Sequence, residues 1–98
     1  MAKKGYWIDL IHSITDLEKF DAYRKLAGPA LEASGARFLV RGKPTVVYEA
    51  GIMQTVVVLE FDSVQQAIVV HDGPGYQAAL KALGNGAKRD LRIVEGLD

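Results

Sequence analysis

The chain has 98 residues and no cysteine, and its twelve basic residues are balanced by twelve acidic ones. This length supports one domain with one modest core, the lack of cysteine excludes disulfides and thiol chemistry, and the balanced charge argues against a nucleic-acid partner. The N-terminus lacks a signal-peptide pattern, and no apolar run approaches the roughly 20 residues of a membrane span. We therefore expect a single soluble, cytoplasmic domain over residues 1–98 with no membrane partner.

The first predicted elements are a strand and a helix. Residues 5–14 form a strand with two substantially apolar faces, one carrying Tyr6, Ile8, Leu10, His12 and Ile14 and the other Trp7, Asp9, Ile11 and Ser13. Thr15 and Glu18 have the spacing of a capping box, and apolar residues then recur at the helical period. Pro29 is expected to break or kink this helix, and Gly35 to end it.

Three more segments complete the pattern. Residues 36–50 predict either one long kinked strand or two short strands, "RFLVRG" and "TVVYEA", and residues 54–61 predict a strand covered on both faces. Ser63 and Gln66 form a second capping box, for a helix over about 63–71. Pro74 begins a renewed helix, with Asp72 or Gly73 as its cap. The "GNG" at 84–86 ends that helix, and residues 90–96 form the last strand.

The order β-α-β-β-α-β predicts an α+β fold of the ferredoxin-like type, with an antiparallel sheet and its helices on one face. The opposite face of such a sheet would be polar in a monomer. Here both faces of the first, third and last strands carry large apolar side chains. We therefore expect a second copy of the chain to cover the open sheet face in a two-fold homodimer.

Four stretches, "KGYWI", "GARFLVRG", "VVVLEFDS" and "GPGYQAALKAL…LRIVEG", resemble a small bacterial family catalogued as a domain of unknown function. That family is assigned to the dimeric α/β-barrel superfamily of ferredoxin-like folds. The resemblance implies a homodimer with a pocket between sheet and helices or at the barrel mouth. The superfamily includes cofactor-independent monooxygenases, isomerase-like enzymes and binding proteins, so it implies no single activity. His71 stands where the family commonly has an aromatic residue.

Two arginines are the first candidates for a ligand site. Alternation places Arg37 and Arg41 on one side of their strand, with Cα atoms about 13 Å apart. Guanidinium groups suit carboxylates and phosphates, so the pair could bind a small anionic ligand. The alternative is that each arginine pairs with a carboxylate such as Glu49, Glu60 or Asp9, or lines the dimer rim.

Other candidates are titratable or aromatic. His12 and Glu60 are candidate proton-transfer groups, although for Glu60 we favour pairing with an arginine. His71 is a candidate ligand contact or a favourable charge at a helix end. Trp7 and Tyr48 could line a pocket for an aromatic ligand, or serve as core or interface. Two isolated histidines are poor evidence for a metal site, so we expect neither a metal nor a cofactor.

Two functions remain open at this point. The first is binding of a small acidic or aromatic organic ligand without catalysis. The alternative is a cofactor-independent monooxygenase- or isomerase-like enzyme, with an arginine clamp for an anion and a histidine or glutamate for proton transfer.

Overall fold

A computed structural model describes residues 3–97. Its elements are, in chain order, β1 (Gly5–Ile14), α1 (Leu17–Ala33), β2 (Arg37–Gly42), β3 (Val56–Phe61), α2 (Val64–Asp72), α3 (Pro74–Leu83) and β4 (Ala87–Glu95). The four strands form one sheet in the order β2-β3-β1-β4, and each neighbouring pair is antiparallel. The predicted ferredoxin-like α+β fold is confirmed.

The start and course of α1 differ from the sequence prediction. Its N-cap is Asp16, whose Oδ1 accepts a hydrogen bond from the Lys19 backbone N–H at 3.1 Å. The predicted Thr15 capping box is therefore wrong by one residue, because an aspartate is an equally good cap and lies one position further on. The helix also continues unbroken through Pro29. The preceding residue, Gly28, has no Cβ to clash with the proline ring.

The predicted boundaries of α2 and α3 are confirmed. The Ser63 side chain caps α2 by accepting from the Gln66 backbone N–H at 3.1 Å. Gly73 is the N-cap of α3, and Pro74 occupies its first turn, where no backbone donor is required. Gly84 caps the C-terminus of α3, as the "GNG" sequence predicts.

The segment between β2 and β3 is a loop. Residues 43–55 contain no strand, so the prediction of a strand at "TVVYEA" is wrong. Pro44 cannot donate a ladder hydrogen bond, and Glu49 adopts a left-handed φ of 50°, which turns the chain. Several large apolar side chains of this loop are exposed: Val46, Tyr48, Ile52 and Met53.

All three helices pack on one face of the sheet, and the core lies between the helices and the sheet. The largest fully buried side chains there are Trp7, Leu59, Phe61 and Tyr76. Gly5 lies where β1 passes the start of α2. A Cβ at this position would come within 2.6 Å of the Ser63 backbone, so only glycine fits.

The opposite side of the sheet, here called the open face, has no helix over it. Its apolar side chains are Ile8, Leu10, Val40, Val56, Val58 and Val94, all half-buried or exposed. Val58 on β3 lies opposite Ile8 on β1 and opposite Val40 on β2, the two strands that flank β3. The open face is therefore apolar at its centre.

A bulge in β2 changes which face each arginine occupies. The register shifts between Phe38 and Val40, so that Arg37 lies opposite Glu60 and Arg41 opposite Val57. Glu60 belongs to the open face and Val57 packs against the core. The prediction that Arg37 and Arg41 share one side of the strand is wrong, because the extra residue at the bulge reverses the alternation.

Candidate functional site

A cavity of about 140 Å³ lies between α1 and the helix-covered face of the sheet. Its lining is mainly apolar and aromatic, and includes Trp7, Ile11, Phe20, Tyr23, Ala27, Leu31, Phe38, Val57 and Leu59. Three charged side chains also line it: Asp9 from β1, Arg24 from α1 and Arg41 from β2. An apolar pocket with a few convergent polar groups is the usual form of a small-molecule site.

Behind the cavity, Asp9 belongs to a buried hydrogen-bonded network. Nη1 of Arg89 donates to Asp9 Oδ2 at 2.8 Å and to the Tyr23 hydroxyl at 3.0 Å. Nη2 of Arg89 donates to the Tyr76 hydroxyl at 3.3 Å, and the two tyrosine hydroxyls lie 2.8 Å apart. This arrangement compensates the buried charge of Asp9 with a buried cation.

Burial dominates the electrostatics of this network. It raises the pKa of the Asp9 carboxyl above its ordinary value, against the lowering effect of Arg89. Burial and the neighbouring Tyr76 hydroxyl raise the pKa of Tyr23 above its usual range. Burial likewise raises the pKa of Tyr76. Both hydroxyls are therefore neutral hydrogen-bonding groups near pH 7.

One atom of the network has no partner. Asp9 is only 4% exposed, and its Oδ1 forms no hydrogen bond with any group in residues 3–97. Buried carboxylate oxygens are normally satisfied. Asp9 is also one of the residues that line the cavity.

The side of the cavity near Arg24 and Arg41 is electropositive. A shallow depression there is lined by Asp21, Arg24, Lys25 and Arg41. Arg24 is already paired with Asp21. Arg41 stacks on the Phe38 ring, with its guanidinium carbon 4.5 Å from the ring centroid, and forms no ion pair within the described part of the chain.

The residues predicted as site groups are distributed over several parts of the molecule. Trp7 and Arg41 line the cavity. Nε of Arg37 donates to Glu60 Oε1 at 2.7 Å on the open face, and the Tyr6 hydroxyl donates to Glu60 Oε2 at 2.9 Å. Glu60 is therefore paired with an arginine, which is the alternative that the sequence favours.

The remaining predicted groups lie outside the cavity. His71 packs against the Trp7 ring, with centroids 5.6 Å apart, and its Nδ1 lies 3.0 Å from Asp72 Oδ1. Tyr48 is 76% exposed in the loop between β2 and β3. His12 lines a second hollow of about 360 Å³, formed by this loop against the ends of β1 and β3, together with Asp90.

Sequence reasoning missed Arg89, Tyr23 and Tyr76 as site residues. The available signal was Asp9, an aspartate that alternates with Trp7 and Ile11 on an apolar strand face. Such a carboxylate requires a buried donor, but the sequence does not say which residue supplies it.

Residues 3–97 contain neither a candidate metal cluster nor a candidate membrane span. No group of three or more histidine, aspartate or glutamate side chains is arranged to hold a metal ion there. No helix in the same range is long and apolar enough to cross a membrane.

The fold and the cavity define a ferredoxin-like α+β protein with a pocket between its sheet and its first helix. The chain belongs to the family described as a domain of unknown function, DUF1330, which matches residues 4–97. This confirms the resemblance drawn from the sequence motifs.

Solved structures support the same fold. A protein of unknown function from Rhodopseudomonas palustris superposes with a TM-score of 0.76 at 17% identity, covering 100% of this chain and 85% of that one. A dimeric ferredoxin-like protein from Thermobifida fusca superposes with a TM-score of 0.60 at 18% identity, and the match covers 98% of this chain and 93% of that one. A dimeric protein with a ferredoxin-like fold from Bacteroides fragilis superposes with a TM-score of 0.60 at 14% identity, and the match covers 95% of this chain and 96% of that one. Both of these are also of unknown function. At such identities the similarity establishes the fold alone.

Among curated proteins, none is significantly similar to this chain.

Proposed function

We propose that the protein is a homodimer that binds a small acidic or aromatic organic ligand without catalysing its conversion. The observation that carries this proposal is the cavity beneath α1, which combines an aromatic lining with the unpartnered oxygen of Asp9. Cytoplasmic location remains a prediction that accompanies this proposal.

The size of the cavity limits the ligand. A closed apolar cavity of roughly 150 Å³ is large enough to hold benzene, and the cavity here measures about 140 Å³. One aromatic ring therefore fits beneath α1, and any larger group would extend toward Arg24 and Arg41. The rings of Trp7 and Phe38 in the lining suit a flat ligand.

The positions of the predicted proton-transfer groups favour binding over catalysis. Glu60 is held by Arg37 and Tyr6 on the open face, and His12 lies at the hollow beside the loop. Neither group is among the residues that line the cavity beneath α1.

Support for the homodimer comes from the open face. Its centre is apolar, and no helix covers it within residues 3–97. Two structural neighbours are described as dimeric. A second copy of the chain, placed sheet against sheet, would remove these side chains from water.

Trp7 gives a direct test of ligand binding, because it is the only tryptophan in the chain and lines the cavity. Wild-type protein titrated with a panel of monocyclic aromatic compounds should show a saturable change in tryptophan fluorescence. The same compounds should raise the thermal unfolding midpoint, since a ligand at 100 times its dissociation constant adds about 2.7 kcal/mol of stability.

A matched pair of variants locates the binding. Ala27→Leu adds three carbons at a buried cavity wall and should abolish the fluorescence response. Ala22→Leu makes the same change on the exposed side of α1 and should leave the response intact. The proposal fails if no compound changes the wild-type fluorescence, or if both variants bind as the wild type does.

A further inference from the structure

We infer that the ligand class is an aromatic carboxylic acid with a hydroxyl or amino group across the ring, held with its donor group at Asp9 and its carboxylate at Arg41. This inference rests on the proposed binding function and specifies the ligand and its orientation.

The sheet register fixes the two ends of the binding site. Asp9 on β1 lies opposite Val57 on β3, and Val57 lies opposite Arg41 on β2. The three residues thus form one row across adjacent strands, and all three line the cavity. With strands about 4.8 Å apart, the Cα atoms of Asp9 and Arg41 are separated by roughly 10 Å. A single ring with substituents at opposite ends spans the space between their side chains.

The Asp9 end is closed and selects a hydrogen-bond donor. Oδ2 of Asp9 is satisfied by Arg89 at 2.8 Å, whereas Oδ1 has no partner within residues 3–97. A second carboxylate at this end would be repelled by Asp9, and the cation there, Arg89, is already paired with Asp9. A hydroxyl or amino group instead donates to Oδ1 and completes the network.

The Arg41 end is more open and selects an anion. Arg24, Lys25 and Arg41 surround it, and the nearby Asp21 is already paired with Arg24. Arg41 forms no ion pair in the described part of the chain, so its guanidinium fork is available to a carboxylate.

Four probes separate these requirements: para-hydroxybenzoate, para-methylbenzoate, benzoate and phenol. Each is titrated into wild-type protein with Trp7 fluorescence as the readout. Para-hydroxybenzoate should bind about tenfold more tightly than para-methylbenzoate, which has the same shape without the donor. Phenol retains the donor, lacks the anion, and should bind more weakly than para-hydroxybenzoate.

A charge variant tests the orientation. Arg41→Gln should weaken para-hydroxybenzoate binding by roughly three- to tenfold and leave phenol affinity unchanged. Lys81→Gln removes an exposed cation from α3, outside the cavity lining, and should change neither affinity.

The outcomes distinguish this inference from the proposed function. If para-hydroxybenzoate and para-methylbenzoate bind equally, the donor requirement is overturned while ligand binding stands. Equal losses for para-hydroxybenzoate and phenol in Arg41→Gln would overturn the orientation. If none of the four probes changes Trp7 fluorescence, the inference fails, and the wider aromatic panel then decides the proposed function separately.

Discussion

At the scale of single residues, the molecule depends on Asp9 and Arg89, which are buried together beneath the helices. The two side chains are 6% and 10% exposed, so neither charge is well solvated without the other. The Tyr23 hydroxyl also accepts a hydrogen bond from Nη1 of Arg89, and the Tyr76 hydroxyl accepts one from Nη2. Burying such a network costs little stability only when each polar atom has a hydrogen-bond partner. Asp9 Oδ1 is the atom of this network that has none within residues 3–97.

Removing one tyrosine hydroxyl tests the network. Tyr76→Phe deletes an acceptor for Arg89 and the partner of the Tyr23 hydroxyl, so the free energy of unfolding should fall by about 1–2 kcal/mol. Urea unfolding at fixed protein concentration measures this change. Tyr48→Phe is the matched control, because Tyr48 is 76% exposed. Its free energy of unfolding should differ from that of the wild type by no more than roughly 0.5 kcal/mol. Equal stabilities of the two variants would contradict the role of the network.

Arg37 affects how stability depends on pH. Hydrogen bonds from Arg37 and Tyr6 hold the pKa of Glu60 below its ordinary value, and Arg37 similarly lowers the pKa of Asp62. Since the unfolded chain binds these protons more readily, the ionised carboxylates add stability above their unfolded pKa values. That stability is lost as the pH falls through the lower native values.

Arg37→Met should therefore flatten the acid side of the stability curve. The free energy of unfolding of the variant is expected to fall less steeply than that of the wild type below about pH 4.5. Arg41→Met is the control from the same strand, because Arg41 has no ion pair in the described residues. Parallel acid slopes for wild type and Arg37→Met would contradict the assigned pKa shifts.

The residue pattern predicted part of this picture. Pairing of Glu60 with an arginine followed from a carboxylate on an apolar strand, and Trp7 was identified as a candidate pocket residue. Arg89 could not be identified, because it lies 80 residues from Asp9 in the chain. Their meeting depends on the register between β1 and β4, which local patterns do not encode.

At the scale of elements, α1 carries an internal proline above the cavity. Pro29 has no backbone N–H, so the carbonyl of Lys25, one turn earlier, lacks its helical donor. Gly28 lines the cavity, and an added Cβ there would have no neighbour within 4 Å apart from the adjacent residues and the helix backbone. This helix is therefore less stable locally than its length suggests, next to the proposed ligand.

Pro29→Ala should stabilise the protein by about 1–2 kcal/mol. The substitution restores a helical hydrogen bond, which stabilises the folded chain. Part of this stabilisation is lost because alanine allows the unfolded chain more conformational freedom than proline does. Pro74→Ala is the matched control at the first turn of α3, where no donor is missing, and should bring no stabilisation. Thermal unfolding compares the two. A Pro29→Ala variant less stable than the wild type would show that the proline fits α1 without strain.

Residue patterns, caps and breakers located every helix and all four strands, but the cap of α1, its course through Pro29 and two details of the β2 region were not predicted. The bulge in β2 was missed because strict alternation was assumed from Arg37 to Arg41, and an inserted residue is visible only against the partner strand. The segment around Val46 and Tyr48 has strand-like composition, yet it forms a loop. Context in the fold overrides such propensities.

At the scale of the whole molecule, the open face is the surface on which the proposed homodimer depends. Val58 lies at its centre, directly opposite Ile8 on one side and Val40 on the other. Pairs of charged residues flank this apolar centre, with Arg37 and Glu60 toward one edge and Asp90 and Arg92 on β4. An apolar centre with a charged margin is the usual anatomy of a protein interface.

A charge at this centre should prevent association. Val58→Arg would place a guanidinium between the two sheets of the proposed dimer, where the flanking carboxylates Glu60 and Asp90 are already paired. The variant should therefore sediment as a 10.7 kDa monomer. Val69→Arg introduces the same charge on α2, where Val69 is 61% exposed, and should remain dimeric. A wild-type chain that sediments as a monomer at micromolar concentration would contradict the proposed homodimer.

The bulge at Leu39 also bears on how the molecule resists aggregation. Because β2 is an outer strand of the sheet, its free backbone groups are open to pairing with a strand from another molecule. The irregular register interrupts that hydrogen-bonding template. Exposed Arg41 and Lys43 repel a like-charged copy, and Pro44 then ends the template. The residue that directs Arg41 toward the cavity thereby also protects this edge from uncontrolled strand addition.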